Sequence, residues 1–170
     1  MTSKSEIRKK MKLKRRTHYV SNIDASYCAT KNLLTNLSFS KSDLIGLYWP
    51  IKYELDTRPL IKYFSEANFN ISLPYLSNKK MVFKKWKVEE TLYYNKYNFY
   101  SPSDRAITVN PNKIIVPCLA YNFIGNRLGY GKGFYDKFLN NCLKFHKKII
   151  TIGVAFSFQK YNKLPTNSKD

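Results

Sequence analysis

The residues best suited to chemistry lie in one glycine-rich stretch, residues 125–136, which holds four of the six glycines in the chain. It also contains two cations, Arg127 and Lys132, and one carboxylate, Asp136. Glycines this dense allow backbone conformations that other residues resist, and they let N–H groups approach a ligand closely. The stretch leads from an apolar, strand-like run into a helix-like one, whose N-terminus attracts anions. These features favour a phosphate-binding loop, with a purely structural turn as the alternative.

The glycine-rich stretch differs from both common nucleotide-binding fingerprints. A Walker A loop has Ser or Thr after Gly-Lys, whereas here Gly133 follows Lys132. A dinucleotide fingerprint counted from Gly129 requires a glycine where Phe134 stands. Asp136 falls in the first turn of the following helix, where it either holds Mg²⁺ through water or complements the helix dipole. The residues alone leave both roles open.

A second group of cations lies near the start of the chain. Ser3 and Glu6 match a capping box, which predicts a helix beginning there. Ile7 and Met11 are expected to form its apolar stripe. Its other face is predicted to carry Lys4, Arg8, Lys12 and Arg15. Because Lys4 is one turn from Arg8, both can reach one anion, although a solvated charge run is the alternative.

Apolar runs predict the remaining elements. Residues 44–49 and 114–117 are typical of strands covered on both faces of a sheet, and residues 149–156, rich in β-branched side chains, are predicted to form the last strand. Further strands are predicted at 71–73 and 81–86, an irregular segment at 89–110, and helices from Ser21, after Asp56 and over 133–146. The second helix is expected to bury Ile23, Tyr27, Leu33, Leu34 and Leu37. This alternation predicts a three-layer α/β/α sandwich with a mostly parallel mixed sheet.

Glu54 occupies the loop after the predicted strand at 44–49. Ligand-binding groups gather at this end of the strands in open α/β sheets. A solvated surface charge is the alternative for a loop glutamate.

Composition limits the class of protein. The chain has 170 residues, 44% of them hydrophobic, which is enough for one domain with a sizeable core. Its net charge of +19 fits nucleic acid, an anionic surface or an anionic small substrate, but lysines spread along the chain also arise by compositional drift. Three scattered cysteines, Cys28, Cys118 and Cys142, indicate reduced thiols in the cytoplasm. No apolar run has the length of a membrane helix, and no secretory signal is expected.

Residues 127–136, which read RLGYGKGFYD, resemble the signature loop of the 5-formyltetrahydrofolate cyclo-ligase family. Agreement continues in the same order at Lys4 and Arg8, Tyr48-Trp49-Pro50, Glu54, Asp56-Thr57, Leu73-Pro74, Ile115-Val116-Pro117, Ile152-Gly153, Gln159 and residues 165–170. The resemblance covers essentially the whole chain. It implies that residues 1–170 form a single cyclo-ligase domain with a sugar-isomerase and CoA-transferase type of sandwich.

The resemblance implies an enzyme that uses ATP and Mg²⁺ to close 5-formyltetrahydrofolate into 5,10-methenyltetrahydrofolate, releasing ADP and phosphate. By the family pattern ATP contacts Lys4, Arg8, Arg127, Leu128, Gly129, Tyr130, Gly131, Lys132, Gly133, Phe134 and Tyr135. The folate contacts Trp49, Glu54, Tyr130, Gly131, Lys132, Gly133 and Phe134. Arg127 and Lys132 act in catalysis, and Asp136 and Asp170 hold the metal.

The chain departs from the family pattern at three points. Asn122 stands where an Asp is usual, and Ser101 where a Glu commonly precedes the proline. Members usually continue for a strand and a tail beyond the position of Asp170. We expect a cytoplasmic monomer that acts on 5-formyltetrahydrofolate and ATP. The alternatives are a basic, aromatic-rich nucleic-acid-binding module and a family member that binds both ligands without turnover.

Overall fold

The computed structural model describes residues 2–22, 24–144 and 148–165. Its α-helices are α1 (Lys4–His18), α2 (Ala25–Asn36), α3 (Arg58–Glu66) and α4 (Phe134–Lys144). Its strands are β1 (Leu44–Gly46), β2 (Asn70–Ser77), β3 (Lys80–Lys85), β4 (Tyr93–Tyr94), β5 (Tyr100–Ser101), β6 (Thr108–Val109), β7 (Lys113–Pro117), β8 (Ala120–Tyr121), β9 (Arg127–Leu128) and β10 (Ile150–Val154). None of the helices within these residues is long and apolar enough to cross a membrane.

The central sheet has the strand order β10-β7-β1-β2-β3-β6. Neighbours from β10 to β2 pair in parallel, and β3 and β6 add antiparallel pairs at one edge. The predicted mixed, mostly parallel sheet is therefore confirmed. The chain leaves β1 through α3 toward one side and leaves β7 through α4 toward the other. In open α/β sheets such a switch point carries the ligand-binding crevice, which is expected here at the carboxyl ends of β1 and β7.

Successive residues of β7 pack into the two faces of the sheet, as the alternation of side chains along a strand requires. Ile114 and Val116 join the core beneath α4, which includes Phe83 and Phe138. Ile115, between them, joins the opposite core, which α2 and α3 cover through residues such as Phe64. The predicted three layers and the buried strand at 114–117 are confirmed.

Several predicted strands differ in extent from those in the structure. β1 ends at Gly46 instead of residue 49, and β10 ends at Val154 instead of residue 156. β2 continues through Pro74 to Ser77 instead of ending at the proline. Its pairing with β1 stops at Ser72, so Pro74 has a strand neighbour on one side only, where a missing N–H is tolerated. The segment predicted as irregular contains the short pair β4–β5 and the edge strand β6.

The second helix buries a narrower face than its apolar residues predicted. Leu33 is buried, but Tyr27 is 68% exposed and Leu37 is 37% exposed. Leu37 adopts an extended backbone at the C-cap, beyond the last turn, which removes it from the helical stripe. Ile23, also predicted to be buried, lies outside the described residues.

Candidate active site

The glycine-rich stretch has two structural parts. Gly125, with φ of +84°, lies in the turn of the β8–β9 hairpin. Residues 129–133, here called the glycine loop, connect β9 to the start of α4. Within this loop Gly131 and Gly133 have φ of +98° and +65°, a region that favours glycine. A glycine-shaped backbone thus leads into a helix N-terminus, the arrangement that binds phosphate in other folds.

Helix α1 lies against the glycine loop. The Arg8 Nε atom donates a hydrogen bond to the Gly129 carbonyl oxygen at 2.9 Å. Its guanidinium group also faces Gly131, where an added β-carbon would lie 3.2 Å from the Arg8 Cζ atom. The predicted capping box of Ser3 and Glu6 is present and fixes the start of α1 at Lys4. The cation group of α1 and the glycine loop, which are distant in sequence, therefore lie in contact.

Arg127 and Asp136 form an ion pair across the glycine loop. The Arg127 Nη2 atom lies 2.5 Å from the Asp136 Oδ1 atom, and the Asp136 side chain is 55% exposed. The Arg127 guanidinium also lies 5.8 Å from the centre of the Tyr135 ring. Both members of the pair sit at the positions where the family pattern expects phosphate and metal.

Among the described residues near the loop, Asp136 could hold a metal only together with other ligands, such as water or phosphate oxygens. Asp170, the second expected ligand, lies outside the described residues. Among the residues that are described, no three His, Cys, Asp or Glu side chains come together as metal ligands. A half-exposed carboxylate such as Asp136 suits Mg²⁺, which keeps several waters and commonly takes phosphate oxygens as ligands. Metal binding there would compete with Arg127 for the carboxylate.

The other residues of this stretch that were predicted to contact ligands differ in how exposed their side chains are. Leu128 is buried against Ile7 and Met11 of α1, so its side chain packs inside the protein. Lys132 is exposed, and Phe134 is half-buried with its ring 6.1 Å from that of Tyr97. Only backbone atoms of Leu128 therefore remain for the ligand contact that the family pattern expects.

Glu54 is buried, unlike most loop glutamates, with 4% of its surface exposed. Its Oε2 atom accepts a hydrogen bond from the Ile51 amide at 3.0 Å. Burial raises the pKa of the Glu54 carboxyl, and the Ile51 amide, the Arg15 charge and the Tyr130 hydroxyl oppose that rise. The prediction that Glu54 lies past the end of the first sheet strand is confirmed, and the surface alternative was wrong.

Arg15 was predicted to lie on the exposed face of the first helix, and this was wrong. It is 3% exposed, and its Nη1 atom donates to the Tyr130 hydroxyl at 2.6 Å. Its Nε atom donates to the Tyr53 carbonyl at 2.7 Å. Ile7, Met11 and Arg15 follow one another at four-residue intervals, so the spacing of the apolar stripe would have placed Arg15 inside.

Three tyrosines lie close enough to Glu54 for its charge to affect their pKa values, and one of them, Tyr48, was not among the predicted site residues. Burial raises the pKa of Tyr48, Tyr130 and Tyr135, and the nearby charge of Glu54 raises it further. The Tyr48 hydroxyl donates to the Leu55 carbonyl at 2.9 Å. All three phenols therefore stay neutral near pH 7 and act as hydrogen-bonding groups.

Trp49 lies in a different setting from Glu54. It lines a groove of about 670 Å³ together with Trp86, Leu92 and Tyr100. The rings of Trp49 and Trp86 meet edge to face, with centres 6.1 Å apart. None of the glycine-loop residues, which are all described, is among those lining this groove. Trp49 and Glu54, two of the predicted folate contacts, thus share one connection but face different surroundings.

The departures at Asn122 and Ser101 have structural roles. The Asn122 Oδ1 atom accepts a hydrogen bond from the Asn126 amide at 2.9 Å within the β8–β9 hairpin. Ser101 is buried, and its hydroxyl accepts a hydrogen bond from the Asn95 side-chain amide at 3.1 Å. An amide oxygen at position 122 thus supplies the acceptor that a carboxylate would offer.

Known proteins resemble this chain in sequence and in fold. A sequence profile of the 5-formyltetrahydrofolate cyclo-ligase family matches residues 1–170. The 5-formyltetrahydrofolate cyclo-ligase of Haemophilus influenzae is 28% identical over 153 residues, which cover 86% of this chain and 81% of that relative. The Escherichia coli K12 enzyme of the same name is 29% identical over 149 residues, covering 84% and 81%. The NMR structure of Aquifex aeolicus 5,10-methenyltetrahydrofolate synthetase matches with a TM-score of 0.82 at 31% identity, covering 97% of this chain and 84% of that one. The chain belongs to the 5-formyltetrahydrofolate cyclo-ligase family.

Proposed function

We propose that the protein converts 5-formyltetrahydrofolate into 5,10-methenyltetrahydrofolate in a reaction that requires ATP and Mg²⁺. The observation that carries the proposal is the meeting of three segments at the switch point of the sheet. The glycine loop follows β9, Arg8 reaches it from α1, and the buried Glu54 comes from the connection after β1. A glycine-shaped backbone of the kind that binds phosphate in other folds thus lies beside a buried polar group, which supports sites for two substrates.

The proposed chemistry activates a poor electrophile. The formamide carbonyl resists attack, and its oxygen is a very poor leaving group. Attack of the formyl oxygen on the γ-phosphorus of ATP forms a P–O bond and releases ADP. The neighbouring aryl nitrogen of the folate then attacks the formyl carbon and gives up its proton, and phosphate leaves with the former formyl oxygen and that proton. Catalysis of this kind depends on aligning two bound substrates and neutralising charge on the transferring phosphoryl group.

The residues divide naturally between these two tasks. Arg127 and Lys132 supply positive charge at the glycine loop, with Lys4 and Arg8 adding cations from α1. The amides of the loop and of the first turn of α4 supply further donors to phosphate. Bound Mg²⁺ would add charge neutralisation, held by Asp136 and, by the family pattern, Asp170.

Glu54 and Trp49 would serve the folate. A buried carboxylate accepts hydrogen bonds from the N–H groups of a reduced pterin ring, and an indole offers a flat apolar surface. No covalent nucleophile is needed in this scheme. The free cysteines accord with the cytoplasmic location that we propose, and we propose that the enzyme is a monomer.

A direct assay tests the proposal. Purified protein is incubated with 5-formyltetrahydrofolate, ATP and Mg²⁺, and the near-ultraviolet absorbance of the methenyl product is followed. We expect an increase that disappears when ATP is omitted or EDTA is added. No ATP-dependent change from folded protein would contradict the proposal. Calorimetry that shows both ligands bound without product would favour the member without turnover, and oligonucleotide binding that the ligands do not displace would favour a nucleic-acid-binding role.

A further inference from the structure

Arg15 is an unusual residue to find inside a protein of this size. It continues the apolar stripe of Ile7 and Met11 on α1, yet it carries a permanent charge and is 3% exposed. Burying a charge is expensive unless hydrogen bonds and an opposite charge compensate, and an apolar side chain of similar volume is often at least as stabilising. The packing of α1 alone therefore gives no reason for an arginine at this position.

The hydrogen bonds of Arg15 connect two separate segments of the candidate site. Nε donates to the Tyr53 carbonyl at 2.7 Å, in the connection between β1 and α3. Nη1 donates to the Tyr130 hydroxyl at 2.6 Å, in the glycine loop. The guanidinium carbon lies 5.6 Å from the centre of the Tyr130 ring. The Arg15 charge lowers the pKa of the neighbouring Glu54 carboxyl, against the rise that burial causes. One side chain thus contacts both walls of the crevice.

Arg8 provides an internal comparison on the same helix. It lies seven residues before Arg15, two turns along the same side of α1, and it bonds the adjacent loop residue Gly129. Arg8 contacts Gly129 and Gly131 of the glycine loop, whereas Arg15 contacts both the loop and the connection that carries Glu54. Arg15 is therefore the α1 cation that joins the phosphate side of the crevice to the Glu54 side.

We propose that Arg15 is a positioning residue that holds the glycine loop and the Glu54 connection at a fixed separation, so that bound ATP and bound folate meet in reactive alignment. This inference rests on the cyclo-ligase activity proposed above. Misplacement of reacting groups by about 1 Å costs roughly 100-fold in rate. Each substrate alone needs only its own side of the crevice. Loss of Arg15 should therefore lower kcat while leaving the separate affinities nearly unchanged.

The test compares Arg15→Lys with Arg16→Lys, its exposed neighbour, as the matched control. Lysine keeps the charge but replaces the planar fork that makes both hydrogen bonds at once. We expect Arg15→Lys to lower kcat about 100-fold, with the Kd values of ATP and of 5-formyltetrahydrofolate, measured separately by calorimetry, changed less than about threefold. Arg16→Lys should match the parent. Urea unfolding confirms that each sample is folded.

Tyr130→Phe keeps the inference testable if Arg15→Lys proves unstable. It removes the hydroxyl that Arg15 contacts, so it should also lower kcat while changing the separate Kd values of ATP and 5-formyltetrahydrofolate less than about threefold, whereas loss of a direct ligand contact would weaken binding. The double variant should lose little more than Arg15→Lys alone, since the two act as a unit. An Arg15→Lys variant with parental kcat, or additive losses in the double variant, would overturn the positioning role while leaving the cyclo-ligase proposal intact. A parent without turnover would overturn both, and weakened ATP binding alone would make Arg15 a nucleotide contact instead.

Discussion

Alanine substitutions at Gly131 and Gly133 of the glycine loop should lower the free energy of unfolding by different amounts. Both residues have positive φ, +98° and +65°, so a β-carbon strains each of them. They differ in their surroundings. A β-carbon at Gly133 meets no atom within 4 Å, whereas one at Gly131 would lie 3.2 Å from the Arg8 Cζ atom. Gly129 is the matched control, because it lacks a positive φ and its β-carbon would meet the Arg127 side chain at an ordinary 3.5 Å.

The expected magnitudes follow from these differences. A left-handed conformation costs a residue with a β-carbon about 1–2 kcal/mol, and the lower chain entropy of alanine returns about 0.4–1 kcal/mol. Gly133→Ala should therefore lose about 1 kcal/mol of unfolding free energy. Gly131→Ala should lose about 2–3 kcal/mol, because its φ lies beyond the left-handed well and the Arg8 side chain must shift by a few tenths of an ångström, which weakens its hydrogen bond to Gly129. Gly129→Ala should be neutral or slightly stabilising.

Urea unfolding of the four proteins without ligand measures this order directly. A chain of 170 residues shifts its Tm by about 2–4 °C for each kcal/mol, so melting curves offer a second readout. Activity is measured separately, since a methyl group at either position can also meet a bound phosphate. Equal losses at Gly131 and Gly133, or a loss at Gly129 as large as either, would refute the proposed contact between Arg8 and the loop.

Three further predictions concern single side chains. Burial raises the folded-state pKa of Glu54 above its ordinary value near 4.5, so the unfolding free energy of the parent should fall as pH rises from 4.5 through the raised folded-state pKa. Glu54→Gln should remove this pH dependence, measured by urea unfolding at several pH values. An unchanged pH dependence in the variant would contradict the assignment to Glu54. Arg127→Ala should lower kcat about 100-fold but cost less than about 1 kcal/mol of stability, because its partner Asp136 is half-exposed; parental activity would remove Arg127 from the mechanism. A thiol reagent at pH 8 should label the exposed Cys28 in the native protein. It should label the buried Cys118 only in urea, because burial raises the pKa of that thiol to about 11. Rapid labelling of a native Cys28→Ser variant would contradict the protection of Cys118.

Local sequence was sufficient wherever one segment carried its own signal. The capping box of Ser3 and Glu6 specified the start of α1, since both its hydrogen bonds close within four residues. The apolar run at 114–117 specified a strand buried on both faces. The glycine spacing at 129–133 indicated a backbone that needs positive φ, and two of its three glycines have it.

Other local signals were ambiguous because their outcome depends on distant neighbours. Pro74 read as the end of a strand, but β1 stops pairing at Ser72 and leaves room for a proline in β2. Tyr27 read as part of a buried face, but α2 turns it toward solvent. Whether an apolar side chain is covered is decided by what packs on it, and a single segment does not specify that.

The sequence by itself determined the glycine-rich stretch, the helix that precedes the sheet, and the alternation of strands and helices, since these follow from spacing and local hydrogen bonding. Only the tertiary structure brought Arg15 to Tyr130, 115 residues later in the chain, and enclosed Glu54 beside them. A charged side chain can be buried only where partners from other segments compensate its lost hydration. Those partners assemble at the junction of β1 and β7, where the order of the strands reverses, and so the polar interior of the site belongs to the fold.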